Sequence, residues 1–283
     1  MTWTLQNELS WHHPILLFES VSHLDLPNQF LKALNPTFGD DTSTSIESAA
    51  MSGSRAQPCL GTERPNCNTH AKELFQAAAN NGNLEVLQWG QGSGYKLETM
   101  SEKGDIADVA WSRHLEVVKY LRQIGISWDE ETCANAAAHG HLELLKWART
   151  NQCPWNVKTC AEAAAGGHLE LLKWARVNQC PWNVKTCTYA AMNGHIKLLK
   201  WARVNQCPWD EWTCAHAALN GHLELLKWCR ANQCPWKCPF AAYNGHLELL
   251  KWARLNGCPW NEDTYLHAIK NGDPALVRYL EDK

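Results

Sequence analysis

Cysteine, histidine and tryptophan are the residues whose types could give this sequence a chemistry of its own. The chain has 283 residues, among them 13 Cys, 13 His and 16 Trp. Thiolates and imidazoles are the usual zinc ligands, and histidine is the side chain most often used for proton transfer in catalysis. Either chemistry needs particular groups gathered at one place, so the spacing of these residues decides what they can do.

The spacing is regular along most of the chain. Six histidines, which we call markers, lie 27 residues apart except for the last, which follows after 24: His114, His141, His168, His195, His222 and His246. Cysteines recur eight residues before and twelve residues after the marker, and tryptophans recur six and fourteen residues after it. Twelve of the 16 Trp and ten of the 13 Cys follow this period, whereas Cys59, Cys67 and Cys229 do not.

This regularity argues against metal binding and catalysis. Cys153, Cys160 and His168 occur in the order of a zinc site, but stacked helices lie about 8–10 Å apart, whereas thiolates that share a zinc ion bind it at about 2.3 Å. The cysteines are therefore predicted to be small buried residues. Catalysis needs one asymmetric set of groups, and no phosphate loop, nucleophile elbow or zinc-protease motif is present. We predict a chain that is not an enzyme and uses no metal or cofactor.

The residues around each marker predict a helix–turn–helix unit. Residues 159–167 are rich in Ala and end in two glycines that stop a helix. Residues 168–178 form a second helix, with Leu169, Leu172 and Ala175 on one face. Pro181 cannot continue it. Two helices of this length cannot bury their apolar faces alone, so the units must stack into a solenoid.

The recurring pattern Ala-Ala-x-x-Gly-His-Leu-Glu-Leu-Leu-Lys resembles the second half of an ankyrin repeat, and about eight such units span residues 70–283. The unit is shorter than the usual 33 residues and lacks Thr-Pro-Leu-His, since Lys158-Thr159-Cys160-Ala161 stands in its place. The resemblance implies an all-α, ankyrin-like helix–turn–helix solenoid in which the β-hairpin fingers are shortened or absent.

The start of the chain lacks the repeat. Residues 1–34 are predicted to be a short, partly helical segment, and residues 35–69 a flexible linker rich in Ser, Thr, Gly, Pro and Asp. No signal peptide and no membrane-spanning run is recognisable. The odd number of cysteines in a long chain does not resemble a secreted disulfide scaffold. We expect a monomer in the cytoplasm, with the nucleus as the alternative.

The charge is unevenly distributed. The whole chain carries a net charge of −3, but residues 132–260 hold 14 Lys and Arg against 7 Asp and Glu. Much of this positive charge belongs to the Lys-x-x-Arg pattern of the second helices, where it can pair with Glu. An acidic partner or a nucleic acid is therefore a distant alternative for the central repeats.

The side of the first helix that changes between units is the candidate binding surface. Helical geometry puts the positions eight, five and four residues before the marker on one face, which is nearly constant and small, and the positions six, three and two before it on the opposite face. The ankyrin resemblance implies that this second face lines a concave surface. Its candidate partner-binding residues are Asn135, Glu162, Tyr189, Met192, His216, Leu219, Phe240 and Tyr243.

These features predict a protein–protein interaction scaffold with no small-molecule substrate. An alternative is a substrate receptor of a ubiquitin ligase, because a short apolar segment such as residues 1–34, standing before ankyrin-like repeats, invites comparison with an F-box. The framework that such arrays share does not name the partner.

Overall fold

The computed structural model describes residues 75–92, 105–235, 243–258 and 262–281. Regular secondary structure in these ranges is entirely α-helical, and the chain divides into two units with the boundary after Ser127. The helices, with labels that number only those whose bounds are described, are α1 Leu84–Gly92, α2 Asp105–Trp111, α3 Leu115–Gln123, α4 Glu130–Ala138, α5 Leu142–Thr150, α6 Val157–Ala165, α7 Leu169–Val177, α8 Val184–Met192, α9 Ile196–Val204, α10 Glu211–Leu219, α11 Leu223–Ala231, α12 Leu247–Leu255, α13 Glu262–Asn271 and α14 Pro274–Glu281.

The predicted all-α helix–turn–helix arrangement is confirmed in these ranges. The described connectors between repeats, such as residues 178–183, contain no strand, so the β-hairpin of the longer ankyrin unit is absent there. The predicted segments 1–34 and 35–69 lie outside the described residues, as does Phe240. None of the described helices is long and apolar enough to cross a membrane.

The first unit contains α1, α2 and α3. α2 packs against α3, and α1 also contacts α3. Buried aliphatic side chains such as Val86, Leu87, Val109 and Val117 form its core. Gly82 adopts φ +77 immediately before α1, so the first unit uses the same turn as the later repeats.

In the second unit, the first helices α4, α6, α8 and α10 each begin at a side-chain cap. Asn156 and Asn183 accept a hydrogen bond from the backbone N–H two residues later, and Asp129 and Asp210 do the same in their repeats. Such a cap satisfies one of the N–H groups that a helix start leaves unpaired, which is worth about 1 kcal/mol. The caps explain why the first helices α4, α6, α8 and α10 all start at equivalent places.

The second helices are closed by a glutamine in the left-handed conformation, two residues after their last helical residue and ahead of the proline. Gln152 has φ +66, and Gln179, Gln206 and Gln233 have similar values. The Gln152 N–H donates to the Arg149 carbonyl and the Cys153 N–H donates to the Ala148 carbonyl, at 3.1 and 2.9 Å. This is the Schellman arrangement, in which a left-handed residue closes the helix. The proline two residues later only prevents further helix.

The core of the second unit has two layers with different side chains. The first helices bury Ala, Cys and Thr, whereas the second helices bury pairs of leucines such as Leu171 and Leu172. Small side chains let backbones approach closely, and the first helices of consecutive repeats make the closest helix–helix packing in the unit. The bulkier second helices lie further apart.

Tryptophans join consecutive repeats on the side of the second helices. The rings of Trp155 and Trp174 meet edge to face at 6.0 Å, and the Arg149 guanidinium lies 4.3 Å from the Trp155 ring centre. The same contacts recur at Trp182 and Trp209. These described tryptophans are thus structural, because each pair connects one repeat to the next.

Candidate interaction surface

The first helices of the second unit have one buried side and one accessible side. Before the markers His141, His168, His195 and His222, the residues at eight, five and four positions earlier are buried, as Cys160, Ala163 and Ala164 illustrate. The residue seven before the marker is buried as well, for example Ala161 and Thr188, which the helical spacing alone did not indicate. We call the opposite side, six, three and two residues before the marker, the variable face.

The predicted site residues that the structure describes all lie on this variable face. Tyr189 and Met192 of α8 and His216 and Leu219 of α10 are half-buried, and the two helices pack side by side. Asn135 of α4 and Glu162 of α6 are half-buried at equivalent places, and Tyr243 is 51% exposed. The structure therefore places these residues along one row of helices, and their use in binding stays a prediction.

Trp212 adds an aromatic ring that the sequence analysis did not assign to the surface. It lies in the first turn of α10, is 45% exposed, and its ring centre is 6.1 Å from that of His216. The two preceding repeats have Lys158 and Lys185 at this place. The sequence could have indicated this, because Trp212 lies at neither of the two positions at which tryptophan recurs in the repeat. The repeat therefore assigns no packing role to it.

His216 is the titratable group at the centre of the variable face. Burial lowers its pKa below the usual value, and the negative charge of Asp210 opposes this shift only in part. The His216 Nδ1 atom is itself buried and has no hydrogen-bond partner. At neutral pH the ring is therefore uncharged, which suits an apolar contact surface.

The face continues towards α13 through Tyr243. Its ring meets that of His267 edge to face at 5.3 Å, and the Asn271 side-chain amide donates to the Tyr243 carbonyl oxygen at 3.1 Å. His267 is the residue of α13 equivalent to Tyr189 and His216. Aromatic rings thus recur at the same place in successive repeats.

The marker histidines connect repeats. The Nε2–H of His168, His195 and His222 donates to a carbonyl oxygen near the end of the preceding first helix, that of Ala138, Ala165 and Met192, at 3.0–3.1 Å. His246 makes the same bond to Leu219 at 3.0 Å. Each histidine ring is thus hydrogen-bonded to the backbone of the preceding repeat. This structural role recurs along the array.

The three residues that could suggest a zinc site are engaged separately. The Cys160 thiol donates to the Cys180 carbonyl at 3.8 Å, and the Cys153 thiol to the Asp129 carbonyl at 3.4 Å. His168 donates to Ala138, as described above. In the described part of the chain, no group of three or more His, Cys, Asp or Glu side chains is placed to hold a metal ion.

The second helices carry most of the charge of the central repeats. Four lysines pair with a glutamate three residues earlier at 2.7–2.8 Å, at Lys146, Lys173, Lys227 and Lys251. α9 differs, because Lys197 replaces that glutamate, and Lys200 lies 5.8 Å from the Trp228 ring instead. Exposed pairs of this kind contribute little to stability but neutralise much of the positive charge.

Comparison with known proteins adds one likeness of fold. No family model and no curated protein matches the chain. Among solved structures, it is similar to the crystal structure of the human ASB11 ankyrin repeat domain, with a TM-score of 0.47 and 14% identity over 66% of this chain and 99% of that one. Independently of that likeness, the described helices show the ankyrin-like stack of helix pairs that the sequence implies.

Proposed function

We propose that this protein is a non-catalytic scaffold that binds a protein partner through the variable face of its second unit. The observation that carries the proposal is the contrast between the two sides of the first helices. The buried side repeats the same Thr, Cys and Ala residues, whereas the accessible side changes from Asn135 to Glu162, Tyr189 and His216. A framework with one diversified surface is the general design of repeat proteins that bind other proteins.

The residue types on the variable face support its use as the centre of a protein interface. Tyr189, Met192, Trp212, Leu219 and Tyr243 are aromatic or apolar and at least partly accessible. Aromatic residues and methionine are enriched at protein interfaces, and a few buried aromatic anchors usually carry most of the binding energy. The polar Asn135 and the charged Glu162 lie in the two repeats that precede Tyr189, where they suit the rim of such a surface. The favoured partner is a protein segment that offers apolar side chains.

The packing of the stack supports a groove on this side. First helices approach one another more closely than second helices do, because Ala and Cys separate them instead of Leu and Trp. A stack whose two rows differ in spacing curves towards the tighter row. The variable face would then lie on the inner side of the second unit, where a bound segment can touch several repeats at once.

The test is affinity capture with the full chain and two matched triple variants. The first variant changes the face, with Tyr189→Ser, His216→Ser and Tyr243→Ser. The control changes three exposed aliphatic residues at the ends of second helices, Val177, Val204 and Leu255, which are 82–85% exposed, to Ser. We expect proteins captured by the wild type to be kept by the control and lost by the face variant, while thermal unfolding shows that both variants fold.

Two results would contradict the proposal. Capture that survives the face substitutions would remove the variable face from binding, and equal loss in the control would indicate a general effect of removing apolar surface. The ligase-receptor alternative depends on residues 1–34, outside the described residues, and it stays a prediction that deletion of that segment tests separately.

A further inference from the structure

One side of α13, the first helix of the last described repeat, is exposed although its central residues are apolar. Tyr265, Leu266 and Ile269 are 39–49% exposed, whereas Thr264 and Ala268 of the same helix are buried. α14 packs against α13 but leaves this side largely accessible. We call the exposed residues that share this side of α13 the end face: Glu262, Tyr265, Leu266, Ile269 and Lys270.

The equivalent positions of an interior repeat are small and buried. In α6, Cys160, Ala161 and Ala164 occupy the three places that are apolar and exposed in α13, and each is at most 2% exposed. Such small side chains let α6 pack closely between α4 and α8. Tyr, Leu and Ile are much larger, so a further helix of the same type could not approach α13 as closely. The end face is therefore not built for the ordinary contact between repeats.

The apolar centre of the end face also differs from that of a solvated surface. In repeat arrays, a side that no neighbouring repeat covers is usually polar. Here Val277 and Leu280 of the adjoining α14 are half-buried as well, which adds apolar surface. The Tyr265 hydroxyl donates to the Glu281 carboxylate at 3.2 Å, so this ring is held in place. Exposed apolar patches of this kind mark interaction sites.

The two ends of the end face carry opposite charges. Glu262 begins α13 and Lys270 lies in its last turn, with Leu266 midway between them. At 1.5 Å of rise per residue, the two charged residues are about 12 Å apart along the helix. Within the described residues, neither charge takes part in an ion pair. Reversing the direction of the helix exchanges the two signs, so the end face is complementary to itself in an antiparallel arrangement.

We propose that the end face is the contact between two copies of this chain, related by a two-fold axis near Leu266. The two α13 helices then lie antiparallel with their apolar residues in contact, and Glu262 of each copy lies against Lys270 of the other. This dimer departs from the monomer expected from the sequence, and it leaves Tyr189 and His216 of the variable face free. One helix pair offers less than the roughly 800 Å² that a standard interface buries per partner, so the dimer should be weak and concentration-dependent.

The test is sedimentation of the full chain in reducing buffer, over concentrations from micromolar to millimolar. We expect a reversible equilibrium between monomer and dimer. Glu262→Lys and Lys270→Glu each bring like charges together at both ends of the contact, and each should weaken dimerisation about tenfold. An equimolar mixture of these two variants should recover the wild-type association, because the lysines of one then meet the glutamates of the other. The control Glu170→Lys, an exposed charge reversal in α7, should leave dimerisation unchanged.

A fourth variant tests the apolar centre of the contact. Leu266→Glu puts two carboxylates at the two-fold axis and should abolish the dimer over the whole concentration range, while circular dichroism verifies that every variant folds. A wild type that stays monomeric throughout, or a dimer that Leu266→Glu does not affect, would overturn the proposal. A mixture of the two charge variants that associates no more strongly than either one alone would overturn it as well, because the antiparallel contact pairs Glu262 with Lys270.

Discussion

At the scale of single residues, the glycine before the markers from His141 to His246 supplies a left-handed turn, and Gly194 shows a second purpose. Gly194 adopts φ +74, and a Cβ atom there would lie 2.8 Å from the ring of His222 in the next repeat. Gly257 has the same φ of +74 but has no neighbouring atom within 4 Å of a Cβ. Both glycines therefore supply a left-handed turn, and only Gly194 also makes room for the inter-repeat histidine.

Gly194→Ala and Gly257→Ala should separate these two effects. We expect Gly257→Ala to reduce the free energy of unfolding by about 1 kcal/mol, the cost of a left-handed alanine. Gly194→Ala should cost about 1–3 kcal/mol more, because the His222 ring must leave its carbonyl partner. Urea unfolding followed by circular dichroism measures both, and equal losses would show that the contact with His222 is unimportant.

At the scale of the element, the first helix is built for tight packing on one side only. In α6, Ala163 is fully buried between α4 and α8, whereas Ala165, two residues later, is half-buried on the variable face. The next repeats place Met192 and Leu219 at the position of Ala165, while the position of Ala163 remains alanine in all four described first helices from α4 to α10. Side-chain volume is therefore restricted by the neighbouring helix rather than by helix formation.

Ala163→Leu and Ala165→Leu place the same side chain on the two sides of one helix. Overpacking at Ala163 should lower the free energy of unfolding by about 1–3 kcal/mol. The same substitution at Ala165 should change it by less than about 0.5 kcal/mol, as for a surface position. Thermal and urea unfolding of the two proteins compares them directly. Equal destabilisation would refute the assignment of a packed side and a variable face.

At the scale of the molecule, the second unit is held together by interactions between neighbouring repeats. Marker bonds such as that of His195 to the Ala165 carbonyl connect the interior repeats, while Asn271 makes the corresponding bond to Tyr243 near the end of the array. Stability in such arrays is close to a sum of repeat and nearest-neighbour terms. The loss of one such hydrogen bond should therefore destabilise mainly the neighbouring repeats. The size of the effect should depend on the position of the bond in the array.

His195→Ala and Asn271→Ala test this dependence. The interior change removes a part-buried bond and should cost about 1–3 kcal/mol, while the change at exposed Asn271 should cost less than about 1 kcal/mol. Hydrogen–deuterium exchange should show faster opening of α6, α8 and α9 in the first variant and of α13 and α14 in the second. Faster exchange throughout the unit in both variants would indicate a single cooperative block instead.

The sequence by itself determined the local structure of the repeats. The period of 27 residues and the Gly-His turns specify the helix pairs and where they end, because these features depend on residues within one turn or two of each other. The buried face of the second helix was predicted only in part, since Leu172 and Ala175 are buried as expected but Leu171 is buried in place of Leu169. The same arithmetic separated the variable face from the packed side.

Only the tertiary structure decided which of the recurring positions contact one another. The Cys214 thiol donates to the Cys234 carbonyl twenty residues away, and Trp155 contacts Trp174 nineteen residues away, so these contacts depend on how closely the helices approach and how each helix is rotated about its axis. The spacing along the chain shows which residues are equivalent in different repeats, but it does not determine how each helix is rotated about its axis. For the same reason, the burial of Ala161 and the exposure of Trp212 appear only when the helices are packed together.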